Sequence, residues 1–167
     1  MNFAAKLSPT HFAKAMAATG VIAAGLSSAP AAVAQDASAS KTATGNVTVT
    51  VTNLRNTKGV VRACMTPEPK RFPRCRGIAG AYSVIVPASQ TLKLTFTNVK
   101  AGRYAIALLH DENDNGKADR ALSMIPKEGF GFSRDAKVRM GPPKFRDAVF
   151  DFEGTSDTQT IRMRYML

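Results

Sequence analysis

The chain has 167 residues, room for one ordinary domain and its core once an export signal is set aside. Its net charge of +11 invites a nucleic-acid reading, but no clustered aromatic residues are there to stack bases, and export takes the chain away from nucleic acid. Anionic envelope lipid or polysaccharide suits such a charge; the plainer reading is that Lys and Arg, spread from Arg55 to Arg164, solvate the outer faces of strands.

Residues 1–34 differ from the rest. Lys6 and Lys14 precede an Ala-rich apolar run, Ala15 to Leu26, and small residues then lead to Ala32-Val33-Ala34 before Gln35. A basic start, a short apolar stretch and an A-x-A site make a secretory signal peptide. The run falls short of the roughly 20 residues that a bilayer crossing needs, and no later stretch comes closer. The expectation is an exported protein, periplasmic or extracellular, with no membrane span in the mature chain. Removing Lys6 and Lys14 leaves 21 basic residues against 12 acidic ones, a net +9. Residues 35–44, rich in Ala, Ser, Thr and Lys, read as a disordered lead-in, and residues 45–167 as one domain.

From Gly45 onward the apolar residues alternate with period two, and no long helical period competes. Val47, Val49 and Val51 interleave with Thr48, Thr50 and Thr52, a β-branched residue at every position. Asn56-Thr57-Lys58-Gly59 turns into Val60 to Met65. Tyr82, Val84 and Val86 form a third strand that Pro87 ends, and Leu92, Leu94 and Phe96 a fourth with one wet face. Tyr104 to His110 is apolar on both faces and should be central. Ala148, Phe150 and Phe152 make a sixth strand; after a turn at Gly154 to Asp157, Ile161, Met163 and Tyr165 make a seventh. The pattern predicts an all-β fold, a seven-stranded antiparallel β-sandwich of immunoglobulin-like or prealbumin-like type, with a closed barrel as the alternative. One long irregular loop, residues 111–147, holds no clear strand or helix, and such connections tend to be functional.

Cys64 and Cys75 are the only cysteines. In an oxidising compartment an even pair at this spacing reads as a structural disulfide that tethers the loop Thr66 to Pro73. The C-x-x-C spacing of redox catalysis is absent.

The long loop opens Asp111-Glu112-Asn113-Asp114-Asn115-Gly116-Lys117-Ala118-Asp119. Asp111, Asn113 and Asn115 stand at alternate positions and Gly116 allows a sharp turn, the front half of the calcium-loop pattern. Those side chains, the Lys117 backbone carbonyl and the Asp119 carboxylate would surround Ca2+. Leu122 stands where a bidentate Glu is expected, so a further ligand would come from elsewhere, Glu128 or Asp135. A turn whose Asx side chains bond their own backbone explains the composition as well. Both readings stand at this point.

These residues also resemble a known family. Gly102-Arg103-Tyr104-Ala105, the run His110 to Asp119, Ile125 to Ser133 and Gly141 to Ala148 are together similar to the bacterial domain-of-unknown-function family 2141. So is the Cys64–Cys75 loop with Phe72-Pro73 before its second Cys, whereas Met124 stands where the family pattern has Gly. The resemblance implies an exported all-β domain with no assigned activity. A fainter, fold-level similarity links the Gly102-Arg103-Tyr104-Ala105 entry to transthyretin-like and carboxypeptidase-regulatory-like sandwiches, and such likeness does not carry function.

Phe130 and Phe132, alternating with Gly129 and Gly131, read either as an aromatic platform for a sugar ring or as rings packed over an open end of the sandwich, the glycines making room. Catalytic inventory is thin. His110 is the one imidazole after export; by alternation it points with Tyr104, Ile106 and Leu108, and would cap the core and anchor the loop. With the cysteines bonded, no thiolate is left for nucleophilic work or zinc. The expectation is therefore a non-enzymatic envelope module, binding or structural, with His110, Glu128, Phe130 and Phe132 as its ligand surface. The alternative is a small glycan-acting hydrolase or carbohydrate-binding protein using residues 111–147.

Overall fold

The computed structural model describes residues 43–121, 125–139 and 141–167. The expected export signal, the expected lead-in up to residue 42, Leu122 and Met124 lie outside the described residues.

Three strands form one sheet: β1 (Thr44–Thr52), β4 (Leu92–Lys100) and β10 (Ser156–Arg162), in the order β10-β1-β4. A second sheet runs β3 (Tyr82–Pro87), β2 (Val60–Thr66), β5 (Gly102–Asp111), β8 (Gly129–Phe132), with β9 (Phe150–Phe152) also pairing with β5. The two-residue strands β6 (Arg120–Ala121) and β7 (Ile125–Pro126) pair with each other. The fold is all-β and not a barrel.

The two larger sheets meet across one core. Val47, Val49, Val51, Leu94, Phe96 and Ile161 from the first pack with Val61, Ala63, Met65, Ile106 and Leu108 from the second. Because side chains alternate across a strand, the other face of β5 carries Ala105 and Ala107. These pack under Phe132, Ala136 and Ala148, with Phe72, Phe130 and Phe145 beside them. Strand β5 is thus central, as its two apolar faces predict, and the long segment after it is the cover of its second face. The Cys64–Cys75 disulfide, with Cα atoms 5.7 Å apart, ties down the loop that carries Phe72.

Three expectations need correction. Each of the seven expected strands has a counterpart, but Ala148 falls outside β9, β10 starts inside the expected turn 154–157 and ends before Met163 and Tyr165, and β6, β7 and β8 make ten strands in three sheets. The fold is also not wholly antiparallel: β1 and β10 run parallel over seven paired residues, Asn46↔Ser156 to Thr52↔Arg162. After β9 the chain crosses to the other sheet and enters it alongside β1. Period-two alternation is the same for either direction, so it gave no warning. The segment 111–147, finally, is far from irregular: besides β6 to β8 it holds a 3-10 turn (Ser133–Asp135) and the start of a four-residue helix, α1 (Phe145–Ala148). Strand β8 was hidden by its glycines, which ordinarily weaken strands. They sit where the sheets close on each other: a Cβ on Gly131 would lie 2.7 Å from Ile161 Cγ2, and one on Gly129 2.3 Å from the Tyr165 ring.

Candidate functional site

The loop after β5 is built around one buried carboxylate. Asp111 ends β5 on its outer face, and Arg62, its diagonal neighbour on β2, lies on the same face. Arg62 Nε donates to Asp111 Oδ2 over 2.6 Å, and Arg62 Nη2 to Asp114 Oδ1 over 2.6 Å. The chain then wraps back. Gly116 N–H donates to Asp111 Oδ2 (2.8 Å) and Asn115 N–H to Asp111 Oδ1 (3.0 Å), with Asp114 and Gly116 at positive φ. Burial pushes the Asp111 pKa up, but the bonds from Arg62, Gly116 and Asn115 outweigh it and hold the carboxyl below its ordinary value.

The remaining loop oxygens converge on Asp119. The Asn113 and Asn115 side-chain amides both donate to Asp119 Oδ2, each over 2.9 Å. Asp119 N–H donates to Glu128 Oε2 over 3.2 Å. Glu128 lies just before β8, is 4% exposed, and its Oε1 is buried without a hydrogen-bond partner among the described residues. Burial, with the charges of Asp111 and Asp119 added, lifts the Glu128 pKa above its ordinary value, against the N–H groups of Asp119 and Glu112. Five carboxylates, those of Asp111, Glu112, Asp114, Asp119 and Glu128, therefore share one end of a basic protein. Arg62 and Arg55 answer three of them, Asp111, Asp114 and Glu112; Asp119 and Glu128 have no ion-pair partner among the described residues.

Of the sequence-predicted ligands, Asp111, Asn113, Asn115 and Asp119 come together, and Glu128 joins them. Asp135 does not: its carboxylate is held by Arg164 at 2.7 Å. The Lys117 N–H is turned to Asn115 Oδ1 (2.8 Å). Counting only Asp, Glu, His and Cys, no three among the described residues group as metal ligands, so a cation here would depend on the Asn oxygens. In the present arrangement the two amide NH2 groups stand between those oxygens and Asp119. Turning each amide over would present Oδ1 instead.

His110 is wholly buried, as the alternation implies. Its Nε2 lies 2.9 Å from the Lys58 carbonyl, which can only accept, so this nitrogen carries the proton. Nδ1 then accepts from the Tyr165 hydroxyl at 2.8 Å, which itself accepts from the Arg55 N–H (3.2 Å). Both nitrogens are used, and the ring pins the C-terminal tail to β5. Arg55, which the sequence did not single out, completes this clamp: it bonds Glu112 (2.6 Å) and the carbonyls of Lys127 and Leu167, and lies over the Tyr165 ring. Arg62 was missed likewise; its signal was a lone charge inside the apolar run Val60-Val61-Arg62-Ala63-Cys64. Phe132 is buried and Phe130 half-buried, in a cluster of edge-to-face and tilted rings with Phe72 and Phe145. They form packing, not an open platform.

Among the described residues no helix is long and apolar enough to cross a membrane. A family model described as an uncharacterized protein conserved in bacteria, domain-of-unknown-function family 2141, matches residues 49–160. No curated protein and no solved structure matches the chain.

Proposed function

From the premise that this chain belongs to domain-of-unknown-function family 2141, we propose an exported, non-catalytic module of the bacterial cell envelope whose Asp111 loop holds a calcium-type cation. One observation carries the cation reading: the buried Oε1 of Glu128, without a hydrogen-bond partner among the described residues, beside Asp119 and Asp111. A buried carboxylate oxygen with no donor is costly, and a hard cation with oxygen ligands relieves it. Glu128 thus supplies the carboxylate that position 12 of the loop, Leu122, lacks. Bound there, the cation would fasten β8 and the loop after β5 to each other. The non-catalytic reading is supported by His110, both of whose nitrogens are engaged, and by the bonded cysteines. The finer fold reading, an immunoglobulin-like or prealbumin-like sandwich, takes β1 to β5, β9 and β10 as its frame and β6 to β8 as an insert. Export is tested by fractionating cells and sequencing the mature N-terminus, expected at Gln35.

The test of the cation is isothermal titration of calcium into chelator-treated protein, with melting temperatures alongside. Binding tighter than about 10⁻³ M, the weak end for extracellular modules, should raise the melting temperature, and Glu128→Gln and Asp119→Asn should each abolish both effects. No heat and no thermal shift up to millimolar calcium would leave a self-bonded Asx turn closed by Arg62.

A further inference from the structure

The strongest unassigned feature lies at the other end of the same segment. Arg134, Asp135, Lys137, Arg139, Lys144, Arg146 and Asp147 line a surface groove of about 800 Å3 between the 3-10 turn and α1. Its two acids are already engaged, Asp135 by Arg164 at 2.7 Å and Asp147 by Arg146 at 3.6 Å. Lys137, Arg139 and Lys144 have no carboxylate partner among the described residues, and the Arg134 guanidinium bonds only the Val149 carbonyl (3.1 Å). Four cations thus line the groove with no ion pair of their own among the described residues, all on exposed residues.

The backbone at one end of the groove is unusual. Arg134 and Asp135 both take positive φ, 56° and 50°, a left-handed conformation that non-glycine residues rarely adopt. Such strain persists only where the surroundings impose it, and it gathers at binding sites. Buried Ser133 anchors the start of this turn, its hydroxyl donating to the Ala148 carbonyl over 2.6 Å and accepting from Ile106 N–H over 2.9 Å. Bringing four like charges together around one groove serves no packing purpose, because all four residues are exposed.

We infer that this groove binds a ligand carrying two or more phosphate groups, of the size of a phosphorylated sugar headgroup. Size and charge density select the class. The volume suits a small molecule rather than a single ion. A phosphate carries roughly −1.5 to −2 charge, so two of them match four cations where carboxylates would need four. Arg134 and Arg139 offer the planar fork that phosphate oxygens accept in pairs. Such a group can come free in solution or as the headgroup of a membrane lipid.

The purified protein, kept in chelator so that the result is independent of the Asp111 loop, is titrated calorimetrically with inorganic pyrophosphate. It is also floated with phosphatidylcholine vesicles containing phosphatidic acid. Sub-millimolar pyrophosphate binding that weakens with salt is expected, falling at least about tenfold in Lys137→Gln/Arg139→Gln/Lys144→Gln and unchanged in Arg103→Gln, whose charge is elsewhere. An unchanged melting temperature in the triple variant assigns the loss to the groove. Vesicle binding lost in the same variant makes the headgroup the source; pyrophosphate binding without vesicle binding makes it a soluble phosphate. Binding to neither probe, or equal weakening by Arg103→Gln, overturns the assignment.

Discussion

The two halves of the segment that covers β5 have opposite chemistry. In the first, residues 111–128, two carboxylates turn inward: Asp111 is buried, paired with Arg62 and wrapped by its own backbone, and Glu128 is buried beside it. In the second, residues 133–147, the chain turns its cations outward while aromatic and small residues pack beneath. A buried charge must find partners, so it organises the chain around itself; an exposed one need not, so its clustering has to be explained by something outside the chain. The acidic half is thereby readable as architecture with one unsatisfied oxygen, and the basic half as a surface.

That contrast predicts how each half breaks. Asp111→Ala should be the most damaging change. It strips Arg62 and two loop N–H groups of their acceptor, and should cost about 3 kcal/mol in urea unfolding, discounted because Arg62 is partly solvated. A loss below about 0.5 kcal/mol would show that the carboxylate organises nothing. Next is Gly129→Ala, whose new methyl would meet the Tyr165 ring 2.3 Å away and push it off His110. A loss of about 2 kcal/mol is expected, and a smaller one with Tyr165→Ala as background.

Glu128→Gln should go the other way by on the order of 1 kcal/mol, because a neutral amide ends the repulsion from Asp111 and Asp119. The sign with pH follows from the shifts. The Glu128 pKa is raised, so its favourable contribution is present in acid and lost as pH rises through the folded value. Those of Asp111 and Glu112 are lowered, so theirs are present at neutral pH and lost as pH falls. Glu128→Gln should therefore melt above the parent at pH 7 without calcium, with the gap shrinking as pH falls through the raised folded value and gone below about pH 4. A variant that melts lower at pH 7 in chelator would mean that the buried carboxylate is not strained. The smallest effect is expected at Arg103→Gln: the Arg103–Asp151 pair is 69% and 80% exposed, and its loss should move stability by less than about 0.5 kcal/mol.

Most of the frame is legible in the order of residues. Alternating Val and Thr in β1, the doubly apolar β5 and the Cys64–Cys75 pair each state their role locally, and each is found in it. The polar first half of β10, Ser156 to Thr160, carries no apolar signal, because it pairs only with β1 at the edge of its sheet. Strand β8 is masked by glycines whose reason is a neighbour some 30 residues further along, Ile161 or Tyr165. In the candidate site, Asp111, Asn113, Asn115 and Asp119 are found from spacing alone, since a loop that folds around its own first residue writes itself into consecutive positions.

The sequence by itself determined the β architecture, the central strand, the covalent tie and the Asx-rich loop, because each depends on neighbours within a few positions. Only the tertiary structure decided that Arg62 faces Asp111 across two strands, that Glu128 rather than Asp135 enters the loop, and that β10 runs parallel to β1. Those depend on register and on which sheet a strand joins. Register and sheet membership are settled by burying both sheets' apolar faces at once, a condition that no local window of residues contains.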